Sequence, residues 1–148
     1  MATNEAERQR ELAAAQSRKS SYENQKAAEE AKIAANKVKI ERLQAAKKTL
    51  GDIKERLEES AQQQKKTAES EETYYEWSGE KRDSVESTYA DGVPAEYTIY
   101  INRVDTVLDQ IVELETTLEN ENLEAWEIVG RLGSWINSII GKIEQLCN

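Results

Sequence analysis

Histidine and phenylalanine are absent from this chain of 148 residues, which has one cysteine, one proline and six glycines. Without histidine there is no Ser-His-Asp or Cys-His nucleophile and no zinc site that uses an imidazole. A single cysteine forms neither an internal disulfide nor a thiolate cage for a metal. No apolar run approaches the ~20 residues of a membrane-spanning helix. We therefore expect no catalytic residue, no metal, no cofactor and no membrane insertion.

The net charge is −9, which argues against binding to nucleic acid, because contacts to a phosphate backbone need a basic surface. The first sixteen residues, MATNEAERQRELAAAQ, lack the apolar stretch of a signal peptide. We accordingly expect no signal peptide and a cytoplasmic protein.

Residues 1–68 consist almost entirely of helix-forming residues and predict one basic helical arm. Its apolar residues follow alternating steps of three and four, which is the spacing of a coiled-coil seam. Three polar residues occupy the same seam and weaken it. The apolar members are Ile33, Ile40, Leu43, Leu50 and Leu57, and the polar members are Asn36, Lys47 and Lys54.

Residues 95–148 carry a stronger repeat and predict a second, acidic arm. One seven-residue repeat runs through Ile101, Leu108, Glu115, Asn122, Val129, Ile136 and Ile143. A second runs through Val104, Ile111, Leu118, Ala125, Leu132, Ile139 and Leu146.

Charge separates the two halves of the sequence. Residues 1–70 hold 15 Lys and Arg against 12 Asp and Glu, whereas residues 71–148 hold 5 against 17. We therefore predict a single all-α domain over residues 1–148, built as a long antiparallel helical hairpin with complementary arms. The turn region is predicted at 69–94, with Trp77, Ser78 and Gly79 as a central W-x-G turn. An extra short helix or a kink is an open alternative near 84–94, where Pro94 either starts a new helix or bends it.

Folding about the turn places Leu50 and Leu57 near Tyr97–Val104 and Ile33 near Leu118. Beyond that point the acidic arm faces an alanine-rich stretch that offers little apolar surface, although its own apolar face is unusually wide. Burial of each large apolar side chain contributes ~1.5–3 kcal/mol, so we expect a partner there. The predicted partner-binding residues are Leu123, Trp126, Ile128, Val129, Leu132, Trp135, Ile136, Ile139, Ile140 and Ile143.

Three candidates for what covers this face are not distinguished by the sequence: a second copy in a four-helix bundle, a dedicated helical partner, or the N-terminal arm itself. The same segment holds Gly130, Gly133 and Gly141. They indicate either a frayed helix end or a close approach by another helix.

The sequence also resembles a known family. The plan of helix, Trp77-Ser78-Gly79 and helix is that of the WXG superfamily, whose small proteins are handled by the type VII (ESX) secretion system. The run Lys39-Ile40-Glu41-Arg42-Leu43-Gln44-Ala45-Ala46-Lys47-Lys48-Thr49-Leu50, followed by W-x-G and an acidic Ile/Leu helix, is similar to the YwqH-like branch. This resemblance covers about residues 25–146.

The resemblance implies a non-enzymatic adaptor, chaperone or targeting factor of Gram-positive bacteria. Its implied partner is the helical N-terminal LXG domain of a toxin, beside which a second small WXG-like helical protein can also bind. No Tyr here is followed four residues later by Asp or Glu, which departs from the export signal of such substrates. Export, if it occurs, is therefore expected only together with the partner. A homodimeric coiled-coil scaffold is the alternative function.

Overall fold

The computed structural model describes the backbone of residues 2–74 and 92–148, and the side chains of residues 4–67 and 92–148. Two helices account for this part of the chain. Helix α1 is Ala2–Tyr74 and helix α2 is Val93–Cys147. The predicted all-helical class is confirmed, and both helices extend slightly beyond the predicted arms. Pro94 lies in the first turn of α2, where its missing N–H and fixed φ are tolerated.

Two compact units divide the chain. The first consists of Met1–Glu41 with Thr116–Asn148, and the second is Arg42–Glu115. The predicted W-x-G turn at Trp77, Ser78 and Gly79, and nearly all of the predicted short helix or kink at 84–94, lie outside the described residues.

In the first unit the α1 and α2 segments are antiparallel. Arg8 donates a hydrogen bond to the carbonyl of Leu146, and Asn36 donates one to Glu121 at 3.1 Å. As residue numbers along α1 increase, the numbers of their partners on α2 therefore decrease, as a helical hairpin requires.

The seam of α2 is confirmed. Every predicted position from Ile101 to Leu146 is buried or half-buried, and Ile111, Leu118, Ala125, Val129, Leu132 and Ile136 are the buried apolar members. On α1, Ile33 and Asn36 are buried, whereas Lys47 is exposed. The core of the first unit is formed by Ile33 with Ala125 and Val129.

The pairing of Ile33 is a correction to the register predicted from the sequence, which placed it near Leu118. Its observed neighbour Ala125 lies one heptad further along α2. A seven-residue repeat returns the same face after each heptad, so the apolar pattern alone does not distinguish the two pairings.

The N-terminal third of α1 covers α2 more completely than its composition indicates. Ala15 is buried, and Leu12, Lys19 and Lys26 are half-buried. Lys19 and Lys26 form ion pairs with the glutamates four residues later, at 3.6 and 3.9 Å. Their aliphatic stems can therefore cover apolar surface while their ammonium groups stay in water.

Within the described residues, neither helix has a stretch that is both apolar and long enough to cross a bilayer.

Candidate functional site

The predicted partner-binding residues of α2 fall into three groups by exposure. Val129, Leu132 and Ile136 are buried between the helices of the first unit. A partner reaches these three side chains only if the two helices separate. The half-buried residues are Ile128, Ile139, Ile140 and Ile143, and the exposed residues are Leu123, Trp126 and Trp135.

Trp135 is held by α1. Its ring lies 5.4 Å from the Tyr22 ring, centroid to centroid, with the planes tilted by 45°. This tilted arrangement is favourable for aromatic pairs, and it leaves 48% of Trp135 exposed. Trp135 therefore contributes to the pairing of the two helices and also presents an edge to solvent.

Trp126 and Leu123 have less support from their own chain. Trp126 is 50% exposed and Leu123 is 67% exposed. The Lys37 ammonium lies over the Trp126 ring, 5.9 Å from its centroid, which is within the range of a cation–π contact. Such a contact leaves much of the indole free for another apolar group.

Leu123 and Trp126 belong to a wider surface on the outside of α2. Steps of three, four and seven residues place them on one side of the helix with Gly130, Gly133 and Ile140. We call these five residues the Trp126 face. Gly130 is exposed, whereas Gly133 and Ile140 are half-buried. The face lies beside the seam, so the hairpin can stay closed while this surface contacts a partner.

Polar groups interrupt the seam of the first unit. Asn36 is 3% exposed and donates its hydrogen bond to Glu121. The Asn122 Oδ1 and Glu29 Oε2 atoms are buried and accept no hydrogen bond from the described residues. Polar groups in a seam reduce stability and select one pairing among several.

The second unit holds an apolar groove that the sequence analysis did not predict. Its volume is about 280 Å³. Tyr100 and Val107 on α2 and Ile53 on α1 are exposed at the groove. The signal in the sequence was present, because Tyr100, Val107 and Leu114 are spaced by seven residues beside the predicted seam. The lining consists of Leu50, Ile53, Leu57, Tyr100, Arg103, Val104 and Val107.

Charged residues lie at and near this groove. The Arg103 guanidinium lies 5.7 Å from the Tyr100 ring centroid, and Lys54 forms a 2.7 Å salt bridge with Asp105. The hydrogen bond to Asp105 raises the pKa of Lys54, helped by the charges of Asp105, Glu58 and Asp109 and opposed by partial desolvation. Lys54 therefore stays protonated at its seam position.

The described residues contain no cluster of three or more acidic, histidine or cysteine side chains that could hold a metal ion. Cys147 is an exposed free thiol at the end of α2. The apolar parts of the described surface include the Trp126 face, the edge of Trp135 and the groove.

The described residues form two paired helices with apolar surfaces beside their seam. The family model described as YwqH-like matches residues 17–140, and the chain belongs to the YwqH-like family. The resemblance noted from the sequence is thus confirmed. No curated protein and no solved structure matches this chain.

Proposed function

We propose that this protein is a non-enzymatic helical partner that binds the N-terminal LXG domain of a toxin destined for type VII secretion. In this role it acts as an adaptor, chaperone or targeting factor in the producing cell, alone or beside a second small helical protein. It leaves the cell, if at all, together with the toxin. Membership of the YwqH-like family supports the proposal.

The observation that carries the proposal is the exposure of Leu123 and Trp126 while the seam next to them is already filled. Val129 and Leu132 are buried against α1, yet the pairing of the two helices leaves most of Leu123 and half of Trp126 uncovered. Burying a large apolar side chain contributes ~1.5–3 kcal/mol, and Leu123 and Trp126 retain much of this free energy for a partner. Large apolar groups in a well-packed patch are typical of binding hot spots.

The test is co-expression with the LXG domain encoded in the same genome, followed by size exclusion with light scattering. We expect a stable complex with the wild-type chain and loss of that complex with Trp126→Glu or Leu123→Glu. Val38→Glu is the matched control, because Val38 is an exposed apolar residue of α1 in the same unit. Absence of a wild-type complex contradicts the function. A complex that survives both α2 substitutions contradicts the proposal that the Trp126 face is the binding surface.

The groove of the second unit favours a second candidate function, a homodimeric coiled-coil scaffold. Exposed Ile53, Tyr100 and Val107 around a groove of about 280 Å³ could accept side chains of a second copy. Light scattering of the free protein over a wide concentration range separates the two functions. A discrete dimer that dissociates when Val107→Lys is introduced favours the scaffold, and a monomer favours the adaptor.

A further inference from the structure

Two glycines in the middle of the Trp126 face are not required by packing against any of the described residues. Helix α2 continues unbroken past Gly130 and Gly133 to Cys147, so they do not belong to a frayed end. Among the described residues, a Cβ atom added to either one would meet no atom within 4 Å beyond the backbone of its own helix. Glycine in a helix interior is less favourable than alanine, because it loses more backbone freedom on folding. Alanine would therefore fit this chain and strengthen the helix.

The surroundings of the glycines indicate what their lack of side chains allows. Along the helix, exposed Trp126 precedes Gly130 and Gly133, and half-buried Ile140 follows them. A helix surface with no side chains at its centre lets a second helix approach closely, since interaxial distance depends on the side chains at the crossing point. Trp126 and Ile140 would then pack against the flanks of that second helix.

Charge favours a basic occupant. Glu119 and Glu144 are exposed on the side of α2 that carries the Trp126 face, one towards each end of it. The basic residues of the same segment, Arg131 and Lys142, fall at heptad positions away from this face. Lys37 of α1 is a cation beside the face, and it lies over the Trp126 ring.

A second copy of this chain fits less well. A two-fold dimer brings the same surface of both copies together. If it were centred on the two glycines, it would bring Glu119 of one copy towards Glu144 of the other. Like charges across an interface oppose association, so the acidic border favours a different molecule with the opposite charge.

We propose that the Trp126 face holds, at close backbone approach across Gly130 and Gly133, one helix whose contact stripe is flanked by lysine and arginine. This inference rests on the proposed function, and the helix belongs to the LXG domain. The glycines provide the space for close approach, Leu123 and Trp126 provide apolar contact, and the glutamates orient the basic flanks.

The first arm of the test measures the dissociation constant of the complex between the full chain and the LXG domain. We expect Gly130→Ala and Gly133→Ala together to weaken binding by about tenfold or more, because two methyl groups hold the helices apart. The thermal midpoint of the free chain is expected to rise. Gly51→Ala is the matched control, since Gly51 is also helical and none of the described side chains lies near an added Cβ, but it belongs to the second unit. It should raise the midpoint and leave binding unchanged.

The second arm tests the charge. Glu119→Lys with Glu144→Lys should weaken binding and reduce its dependence on salt concentration. Glu124→Lys is the control, because it makes the same change at an exposed position away from the Trp126 face. It should leave the dissociation constant close to that of the wild-type chain.

The outcomes separate this inference from the function on which it rests. No binding by the wild-type chain overturns both. Wild-type binding that the two alanines leave unchanged overturns the close approach alone, and equal effects of the three glutamate reversals overturn the basic partner. If the free chain forms a dimer and Gly130→Ala with Gly133→Ala dissociates it, the Trp126 face binds a second copy instead.

Discussion

Lys54 of α1 forms a 2.7 Å salt bridge with Asp105 of α2 at a seam position between Leu50 and Leu57. The Lys54 side chain is 33% exposed, so the ion pair lies at the edge of the seam and not in its centre. A pair at this depth avoids most of the desolvation penalty of a buried charge. The seam can therefore contain a lysine where a coiled coil usually has an apolar residue.

This salt bridge predicts a loss of stability at high pH. Asp105 raises the folded-state pKa of Lys54 above its ordinary value of 10.5. A raised lysine pKa stabilises the folded state below the unfolded pKa, and the contribution disappears as pH rises through the folded pKa. The stability difference between the wild-type chain and Lys54→Met should therefore shift against the wild type above about pH 10.5. Thermal unfolding from pH 8 to 12 measures it.

Lys47→Met is the control for this prediction. It removes another lysine of the α1 seam, one heptad earlier and at an exposed position. A pH dependence of the same size for both variants would show that the effect comes from general charge and not from Asp105.

Asn122 should be replaceable with a gain in stability. Its side chain is 8% exposed, and its Oδ1 accepts no hydrogen bond from the described residues. Such a buried acceptor costs ~1–3 kcal/mol, which a leucine of similar size does not incur. We expect Asn122→Leu to raise the free energy of unfolding by about 1–2 kcal/mol in urea titrations. Asn36→Leu should gain less, since Asn36 is hydrogen-bonded to Glu121. A destabilised Asn122→Leu variant would contradict the conclusion that the Asn122 side chain is an unsatisfied buried polar group.

The two exposed tryptophans of α2 should differ in their effect on stability. Trp135 packs against the Tyr22 ring, so Trp135→Ala should lower the free energy of unfolding by about 1–2 kcal/mol. Trp126 is supported by Lys37 at 5.9 Å, so Trp126→Ala should cost less than about 1 kcal/mol. Chemical unfolding followed by circular dichroism compares them. Equal losses would mean that Trp126 also belongs to the core of the first unit.

The helix glycines predict a gain in stability that is independent of binding. Gly51→Ala and Gly130→Ala should each raise the free energy of unfolding by about 0.5–1 kcal/mol, because neither added methyl group meets a side chain of the residues that the structure describes. The sites are in different units, so their effects should add in the double variant. A loss of stability at Gly130 would reveal a constraint within the chain and remove the argument for an outside helix.

The sequence predicts the two seams well because periodicity is a local property. Every predicted seam residue from Ile101 to Leu146 is at least half-buried, and Leu50 and Leu57 line a groove with Tyr100 and Val104, as the hairpin predicts. The register between the two helices cannot be read from the sequence, because a shift by one heptad preserves the apolar pattern. The pairing of Ile33 with Ala125 shows that difference.

The candidate surface was predicted only in part. The width of the apolar face of α2 is visible in the sequence, and Leu123, Trp126 and Trp135 are indeed exposed. Val129, Leu132 and Ile136 are buried in the seam. Helix α1 continues along this part of α2, and its Lys19 and Lys26 are half-buried there. The covering capacity of lysine stems depends on side-chain direction, which residue spacing alone does not contain.

The positions of Trp126 and Trp135 give the protein two separate optical signals. In a variant that keeps only Trp135, with Trp77→Phe and Trp126→Phe, emission should change when α1 and α2 separate, because Trp135 contacts Tyr22. In a variant that keeps only Trp126, with Trp77→Phe and Trp135→Phe, emission should shift to shorter wavelength when another molecule covers the exposed ring. Stopped-flow experiments on the two variants therefore time the opening of the helices and the arrival of a partner separately, which reveals which of the two events comes first.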